Sequence, residues 1–499
     1  MVDLKDIRKI YFIGIGGIGM SALARYFRGQ DKEVSGYDKT STVLTRQLEK
    51  EGIAVHYSED LSLAPKDAQL IIYTPAIPKE HMELLYYQEH GYTILKRSDV
   101  LGAITNSSFN ICVAGTHGKT TITTMIAHVL RHSGYGCNAF LGGISVNYNS
   151  NFWSDRRNVC VVEADEYDRS FLKLHPNIAV ITAMDADHLD IYGTAREVEQ
   201  AFIDFSRKLK PEGLLLSKWG MTRSAELKGD IHQTYSLGDQ GPKADIQATK
   251  IRMQQGSYTF DVKTTDWQLE DVVLNMGGMH NVENVTAAIA VAHHLGIADE
   301  KIKSAVAAFR GVKRRFEYII KKPGLVFIDD YAHHPEELRA LISGARGLFP
   351  DMKCTVIFQP HLFSRTRDFA DGFAASLDLA DEVYLLPIYP AREKPMEGVT
   401  SELIAEKMQQ GKAVIDGKEA LLERLRQRVR KSGEAGAERG GVGSGPGRGG
   451  LGREAAERGG VTGYDWLASG PDRLELVITA GAGDIDTLVE PIKNILEGN

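Results

Sequence analysis

Phe109-Asn110-Ile111-Cys112-Val113-Ala114-Gly115-Thr116-His117-Gly118-Lys119-Thr120-Thr121 runs from an apolar stretch into a glycine-bracketed turn, then into a helical pattern carried by Met125, Ile126, Val129 and Leu130. An apolar run of this length ending in glycine reads as a buried strand. Strand, turn and helix start together form a phosphate cradle, because unpaired N–H groups and the positive end of the helix dipole converge there. In that reading Gly115, Thr116, His117, Gly118, Lys119, Thr120 and Thr121 bind ATP, with Lys119 reaching the β- and γ-phosphates and the Thr120 hydroxyl ligating Mg2+ (or Mn2+). The loop is a shortened form, G-x-x-G-K-T, because Val113 stands where the common G-x-x-x-x-G-K-[ST] pattern places its first glycine. An ordinary strand-to-helix turn with a solvated lysine has the same letters, so the flanking motifs must discriminate.

Upstream, residues 9–13 read as a strand, Gly14-Ile15-Gly16-Gly17-Ile18-Gly19 as G-x-G-x-x-G, and residues 20–27 as a helix, with a second strand at 34–37 ending on Asp38. Gly14, Gly16, Gly17 and Gly19 would hold a diphosphate and Asp38 a ribose hydroxyl, which taken alone points to NAD. Any nucleotide with a diphosphate satisfies the same loop. Strands at 68–73 and 92–95 complete a small α/β unit.

Downstream, a strand at 159–162 ends in Glu163-Ala164-Asp165-Glu166-Tyr167-Asp168, and one at 178–182 ends in Asp185-Ala186-Asp187-His188-Leu189-Asp190. Acids at the carboxyl ends of parallel strands are where a nucleotide-binding sheet places its Mg2+ ligands. Short alternating runs between 213 and 274 read as appended antiparallel strands. Asn281 and Asn284 share one side of the first turn of an alanine-rich helix, where their amides could read an adenine edge; capping is the alternative for Asn281.

The stretch 311–316 reads as a hinge into a third α/β pattern, with strands at 325–328, 355–358, 383–386 and 474–479. Its strand ends carry Asp329-Asp330-Tyr331-Ala332-His333-His334-Pro335, Gln359-Pro360-His361 and Gly481-Ala482-Gly483-Asp484. Adjacent histidines in an extended segment face opposite ways, so at most one of His333 and His334 enters a site on this rim.

The order of these motifs resembles that of the Mur ligases of peptidoglycan synthesis, over nearly the whole chain. GIGGIGMS at Gly14, GTHGKTT at Gly115, EADEYDRSF at Glu163, DADHLD at Asp185, GMHNVEN at Gly278, GVKRRFE at Gly311, DDYAHHP at Asp329, FQPH at Phe358 and GAGDI at Gly481 carry the resemblance. It implies three domains: a Rossmann-like UDP-sugar domain at 1–107, a central P-loop ATPase-like domain at 108–320 with a mostly parallel sheet and an antiparallel appendage, and a Rossmann-like domain at 321–499 that binds the amino acid. It also implies ATP-driven amide formation between UDP-N-acetylmuramate and L-alanine through an acyl phosphate. The resemblance further implies that Lys119 neutralises phosphate charge, Thr120 and Glu163 hold one Mg2+, His188 helps hold a second, and Arg315 meets the transferring phosphoryl group. Asn281 and Asn284 would meet adenine, and Tyr331, His333, His361 and Arg365 would position L-alanine; Lys119, His188, Arg315 and His333 form the catalytic set. Two departures stand out. Leu362 follows FQPH where many relatives have arginine, and Ile203 occupies the region where several sister ligases have a carbamylated lysine, so no carbamate is expected.

Three other readings remain open on sequence: a ligase that recycles a whole peptide onto UDP-muramic acid; a non-catalytic nucleotide-binding scaffold that keeps the folds without ATP turnover; and, from another class, a nicotinamide oxidoreductase resting on the first glycine loop. No hydride-transfer site follows that loop.

Composition sets the outer bounds. A chain of 499 residues exceeds one core, and 43% hydrophobic with 25% charged residues is ordinary globular usage. A net charge of -7 disfavours a whole-chain nucleic-acid binder. The four cysteines lack C-x-x-C or metal spacing, which suits a reducing compartment. Lys5, Arg8 and Lys9 before an uncharged stretch superficially mimic a signal peptide, but Gly and Ser interrupt it and Arg25 continues its helical pattern. The expected protein is cytoplasmic, a monomer or weak homodimer, with small-molecule partners and no nucleic-acid or membrane partner. Residues 432–463 are dense in glycine and repeat Ala-Glu-Arg-Gly-Gly-Val at 437 and 456, so they are expected to form a disordered insert.

Overall fold

The computed structural model describes residues 4, 6–185, 189–238, 244–254, 256–391, 393–409, 413–439 and 474–498. It divides into two compact units, Met1–Lys313 and Arg314–Asn499.

The first unit holds two sheets. The N-terminal sheet has five strands in the order Ala54–His56, Glu33–Tyr37, Lys9–Ile13, Leu70–Tyr73, Ile94–Lys96, all parallel. Tyr11, Phe12 and Ile13 are fully buried, because a parallel sheet with helices on both faces leaves neither face to water. Gly14 and Ile15 donate backbone N–H groups to the Tyr37 carbonyl at 2.8 and 3.0 Å, which folds the glycine turn over the adjacent strand end before the helix Ile18–Arg28 begins.

The central sheet has ten strands. From one edge they run Gln268–Leu274, Ser257–Lys263, Ile246–Gln254, Ile231–Leu237, Leu214–Lys218, Ile178–Ile181, Phe109–Ala114, Val159–Glu163, Asn138–Ser145 and Ser150–Trp153. The middle of this sheet is parallel, and the antiparallel pairs lie at its two ends. The appended alternating strands were legible in the sequence, whereas the hairpin at the opposite edge, Asn138–Ser145 with Ser150–Trp153, was not. The two sheets share one apolar core, in which Tyr26 packs against both Phe140 and Phe152. Asn151 reinforces the join, its amide donating to Ile18 O and Ser21 Oγ while accepting from Arg25.

The second unit is a six-stranded sheet ordered Glu317–Lys322, Leu325–Asp330, Glu475–Ala480, Lys353–Phe358, Glu382–Leu385, Ala413–Ile415, parallel except for its first strand. That first strand belongs to this sheet, so the unit begins ahead of the expected boundary at 321. The helix Lys418–Arg439 enters the glycine-rich segment; residues 440–463 lie outside the described residues. Among the described residues no helix is long and apolar enough to cross a membrane.

Candidate active site

The helix Lys119–His132 starts directly from the turn after Phe109–Ala114, in the middle of the central sheet. Gly115 and Gly118 adopt φ of +139° and +79°, backbone that L side chains rarely enter, and a side chain on Gly115 would collide with Thr182. The turn is tied to the neighbouring strand end. Thr116 N donates to Ala183 O at 3.2 Å, Asp185 N donates to the Thr116 hydroxyl at 3.2 Å, and the Thr182 hydroxyl donates to His117 O. The His117 ring is exposed and stands 3.7 Å from Asp185.

Lys119 does not project into solvent. Its ammonium donates to Gly115 O at 2.6 Å and to Glu166 Oε1 at 2.7 Å, with the Glu166 side chain 1% exposed. Burial raises the Glu166 carboxyl above its ordinary range, and the Lys119 ammonium pulls it back. Thr120 donates its hydroxyl to Glu163 Oε1 at 3.1 Å, and Gly142 N donates to Glu163 Oε2 at 3.0 Å. A Cβ at position 142 would overlap the Glu163 carboxyl, so glycine there is what gives that carboxylate its place. A hydroxyl and a carboxylate side by side at a phosphate loop fit Mg2+, which takes few protein oxygens and fills its octahedron with water and phosphate. Among the described residues no group of three or more His, Cys, Asp or Glu is set to hold a metal ion. His188 lies outside the described residues.

Asn281 and Asn284 do share one side of the helix Met279–His294, but they differ in what they do. Asn281 is buried, donates to Gly277 O at 2.6 Å and accepts from the Asn284 amide at 3.1 Å; the cap of this helix is Gly278. Its amide is therefore engaged within the protein, and Asn284 is the one that faces the phosphate loop: a Cβ on Gly118 would stand 3.1 Å from Asn284 Oδ1.

At the first glycine loop Asp38 accepts from Gly16 N at 2.8 Å and from Thr40 N at 3.2 Å, so both its oxygens hold local backbone. Sequence reasoning missed Arg97. Its guanidinium lies where a Cβ on Gly19 would be 2.6 Å away, and its Nη2 is 3.7 Å from Asp165, in a small cleft also lined by Glu163 and Ser170. A single arginine opening the helix Arg97–Asn106 carries no sequence signal for this placement.

In the second unit the strand Leu325–Asp330 stops before the histidines, so strand alternation is not what separates them. His334 caps the helix Pro335–Leu348 and packs on Phe369, while His333 faces Tyr331 and His361. His333 Nδ1 lies 2.9 Å from the Tyr331 carbonyl, which can only accept, so the proton sits on Nδ1 and the Nε2 lone pair is left for another donor. Arg365 Nη1 stands 3.3 Å from His361 Nδ1, which fixes the opposite tautomer. Burial, helped by the Arg365 guanidinium, keeps both imidazoles below the usual histidine range. Asp329 is buried, accepts from the Thr479 hydroxyl at 2.6 Å and lies 3.4 Å from Arg314 Nε; burial pushes its carboxyl up to about 7. Burial likewise takes Asp330 to about 6, although the Phe316 and Ala332 amides donate to it. Arg315 is exposed, whereas Arg314 is held by Asp329 and Gly481 O.

A parallel α/β sheet whose central strand feeds a glycine turn, a lysine and a threonine beside a strand-end carboxylate defines a phosphate-loop nucleotide-binding protein. Three family models subdivide the chain: Mur ligase family, catalytic domain, at residues 9–109; Mur ligase middle domain at 113–292; and Mur ligase, glutamate ligase domain, at 314–434. The chain belongs to the Mur ligase family. It is 42% identical over 505 residues to the UDP-N-acetylmuramate–L-alanine ligase of Cytophaga hutchinsonii, covering 99% of this chain and 98% of the relative. The enzyme of the same name from Parabacteroides distasonis is 44% identical over 502 residues, covering 99% and 98%. That from Flavobacterium johnsoniae is 48% identical over 429 residues, covering 85% and 93%. Among solved structures, the UDP-N-acetylmuramate–alanine ligase of Thermotoga maritima superposes with a TM-score of 0.75 at 27% identity, covering 98% of each chain. A murein peptide ligase from Psychrobacter arcticus, at TM-score 0.62 and 21% identity, shares the fold. Neither the peptide-recycling reading nor the oxidoreductase reading is favoured by these likenesses.

Proposed function

We propose that the chain joins L-alanine to the lactyl carboxylate of UDP-N-acetylmuramate, converting ATP to ADP and phosphate. The observation that supports this best is the contiguous Lys119, Thr120 and Glu163 arrangement, in a chain that aligns end to end with ligases of that name. In the first step a carboxylate oxygen attacks the γ-phosphorus of ATP, giving an acyl phosphate and ADP. In the second the alanine amine attacks the acyl carbon, phosphate leaves, and one amine proton is lost.

Both substrates and ATP are anionic, so charge neutralisation and positioning must lower most of the barrier. Lys119 and the N-terminus of its helix meet the β- and γ-phosphates, with Gly115, Thr116, His117, Gly118 and Thr121 framing them. Thr120 and Glu163 would hold Mg2+ (or Mn2+), which would withdraw charge from the phosphate oxygens; His188 is assigned to a second ion. Arg315 meets the transferring phosphoryl group. Asn284, braced by Asn281, contacts the nucleotide. Gly14, Gly16, Gly17 and Gly19 receive the UDP diphosphate, Asp38 holds that loop in shape, and Arg97 offers it a guanidinium.

L-Alanine is assigned to Tyr331, His333, His361 and Arg365. Arg365 suits the carboxylate, and the His333 Nε2 lone pair suits removal of an ammonium proton, since a depressed pKa keeps that imidazole neutral near pH 7. We place the reaction in the cytoplasm, with the protein a monomer or weak homodimer.

The deciding assay is phosphate release from ATP with UDP-N-acetylmuramate, adding L-alanine, glycine, L-serine or the muropeptide tripeptide separately. Release that needs both the sugar nucleotide and L-alanine, and that is lost in Lys119→Ala, is the expected outcome. Release with the tripeptide alone would reassign the chain to peptide recycling.

A further inference from the structure

Lys119 offers three N–H donors, and two are committed inside the protein, to Gly115 O at 2.6 Å and Glu166 Oε1 at 2.7 Å. Two fixed bonds orient a tetrahedral ammonium, so the third N–H points in one direction without help from a ligand. The segment that carries this carboxylate is tied through its backbone carbonyls. The Glu166 carbonyl accepts from the Tyr192 hydroxyl at 2.6 Å and from Arg169 N at 2.9 Å. The preceding Asp165 carbonyl accepts from Phe171 N at 3.2 Å and the Ser170 hydroxyl at 3.0 Å. The turn that makes these bonds carries Asp168 and Arg169 at φ of 55° and 54°, conformations disfavoured for residues with side chains. A segment held this firmly presents the Glu166 side chain at a fixed height above the phosphate loop.

We propose that Glu166 is a positioning residue for the ligase reaction: it tethers Lys119 against Gly115 O so that the ammonium is already aimed when the ATP phosphates arrive. This rests on the ligase reading above. The tether works through reach, the hydrogen-bond acceptor at Oε1, rather than through charge. A free carboxylate beside the phosphates would oppose ATP, whereas one engaged with the lysine screens that repulsion and spares the lysine's ordering on binding.

Two variants separate reach from charge. Glu166→Gln keeps an acceptor at the same distance and removes the charge; Glu166→Asp keeps the charge and withdraws the acceptor by one methylene. The Gln variant should retain kcat within about threefold, with ATP affinity equal or tighter, while the Asp variant should lose kcat on the order of 10- to 100-fold from misaligned phosphoryl transfer. Binding of a fluorescent ATP analogue to the Asp variant should change far less than its kcat, because the loop amides still hold phosphate. A defect of folding would instead lower binding stoichiometry and turnover together. A readout independent of catalysis is the side-chain 15Nζ spectrum of lysine-labelled, ligand-free protein, with Lys119 assigned through Lys119→Arg. A protected ammonium signal is expected in the parent and the Gln variant and lost in the Asp variant. Any other pattern overturns the proposal: kcat lost in both, kept in both, or lost only in the Gln variant. A parent without alanine-dependent turnover would refute the ligase reading, and the NMR comparison would still judge the tether.

Discussion

Gly142→Ala is the substitution whose consequence the geometry fixes most closely. Gly142 lies in the strand Asn138–Ser145, beside Val159–Glu163, at a φ that any residue can adopt, so the backbone itself tolerates alanine. The new methyl would overlap the Glu163 carboxyl, and that carboxyl must retreat by at least about 1 Å to reach ordinary contact near 3.5 Å. Its bonds from Gly142 N at 3.0 Å and Thr120 Oγ1 at 3.1 Å cannot both survive that move. The stability effect is small. Replacing glycine by alanine gains about 0.4–1 kcal/mol through the unfolded chain, and the lost charged hydrogen bond costs about 1.5–3 kcal/mol where water does not replace it. The functional effect is larger, because a displacement of about 1 Å at a reacting centre lowers turnover on the order of 100-fold, about 2.7 kcal/mol in the barrier. Phosphate release measured across a Mg2+ titration should show the variant needing more metal and reaching a lower plateau, while urea unfolding shifts by no more than about 2.6 kcal/mol. Parent-like turnover at the parent Mg2+ midpoint would refute the placement of Glu163 in the metal site.

Arg365→Lys replaces a planar fork with a point charge and should raise the KM for L-alanine about tenfold while leaving the KM for ATP unchanged, read in steady-state kinetics with each substrate varied in turn. His128 supplies a pH test of the core. Buried between Ala305 O at 2.9 Å and the Tyr148 hydroxyl at 3.0 Å, it is pushed down to about 4, chiefly by burial. Its folded pKa lies below the unfolded value of about 6.5, so the unfolded chain binds the extra proton and stability falls as pH drops from about 6.5 to about 4, by roughly 3 kcal/mol. Asp329 and Asp330, whose folded values are raised to about 7 and about 6, tilt the opposite way across most of that window, so only the contrast with His128→Gln isolates the histidine. Urea unfolding at several pH values should show the stability of His128→Gln relative to the parent rising as pH falls from about 6.5 to about 4, and a constant difference would refute the assignment.

The strands that position the site were legible because buried parallel strands are short apolar runs ending in glycine or acid: Lys9–Ile13, Phe109–Ala114 and Val159–Glu163 each announce themselves in that way. What could not be read was partner choice. Glu163, Asp165 and Glu166 are equivalent letters in one acidic cluster, and only register and turn geometry send Glu163 to Thr120, Asp165 toward Arg97 and Glu166 to Lys119. Gly142 and Arg97 gave no local signal, since each matters through a residue far away in sequence. Asn281 and Asn284 were correctly placed on one face, but spacing cannot tell that burial turns one of them into support for the other.

The two departures from the family pattern acquire physical meaning in the folded chain. Ile203 is fully buried on the helix Ala195–Ser206 with Phe202 and Phe205, in apolar packing that would penalise a charged carbamate, so that position serves the core. Leu362 does its work through the backbone. At φ 71° it caps the helix Phe363–Leu377, donating its N–H to Tyr389 O at 2.9 Å and accepting from Thr366 N at 3.1 Å and the Thr366 hydroxyl at 2.8 Å. A bulky residue in that region costs about 1–3 kcal/mol, so the turn is held by its bonds to Tyr389 and Thr366 rather than by local preference. Holding it sets the first turn of the helix, and one turn on from His361 that helix delivers Arg365 to within 3.3 Å of His361 Nδ1. The guanidinium beside His361 is thus supplied from the helix and not from position 362. With burial and the neighbouring guanidinium holding the His361 imidazole below the usual histidine range, Arg365 carries the fixed positive charge of this cluster, and we propose that an amino-acid carboxylate is met by that side chain.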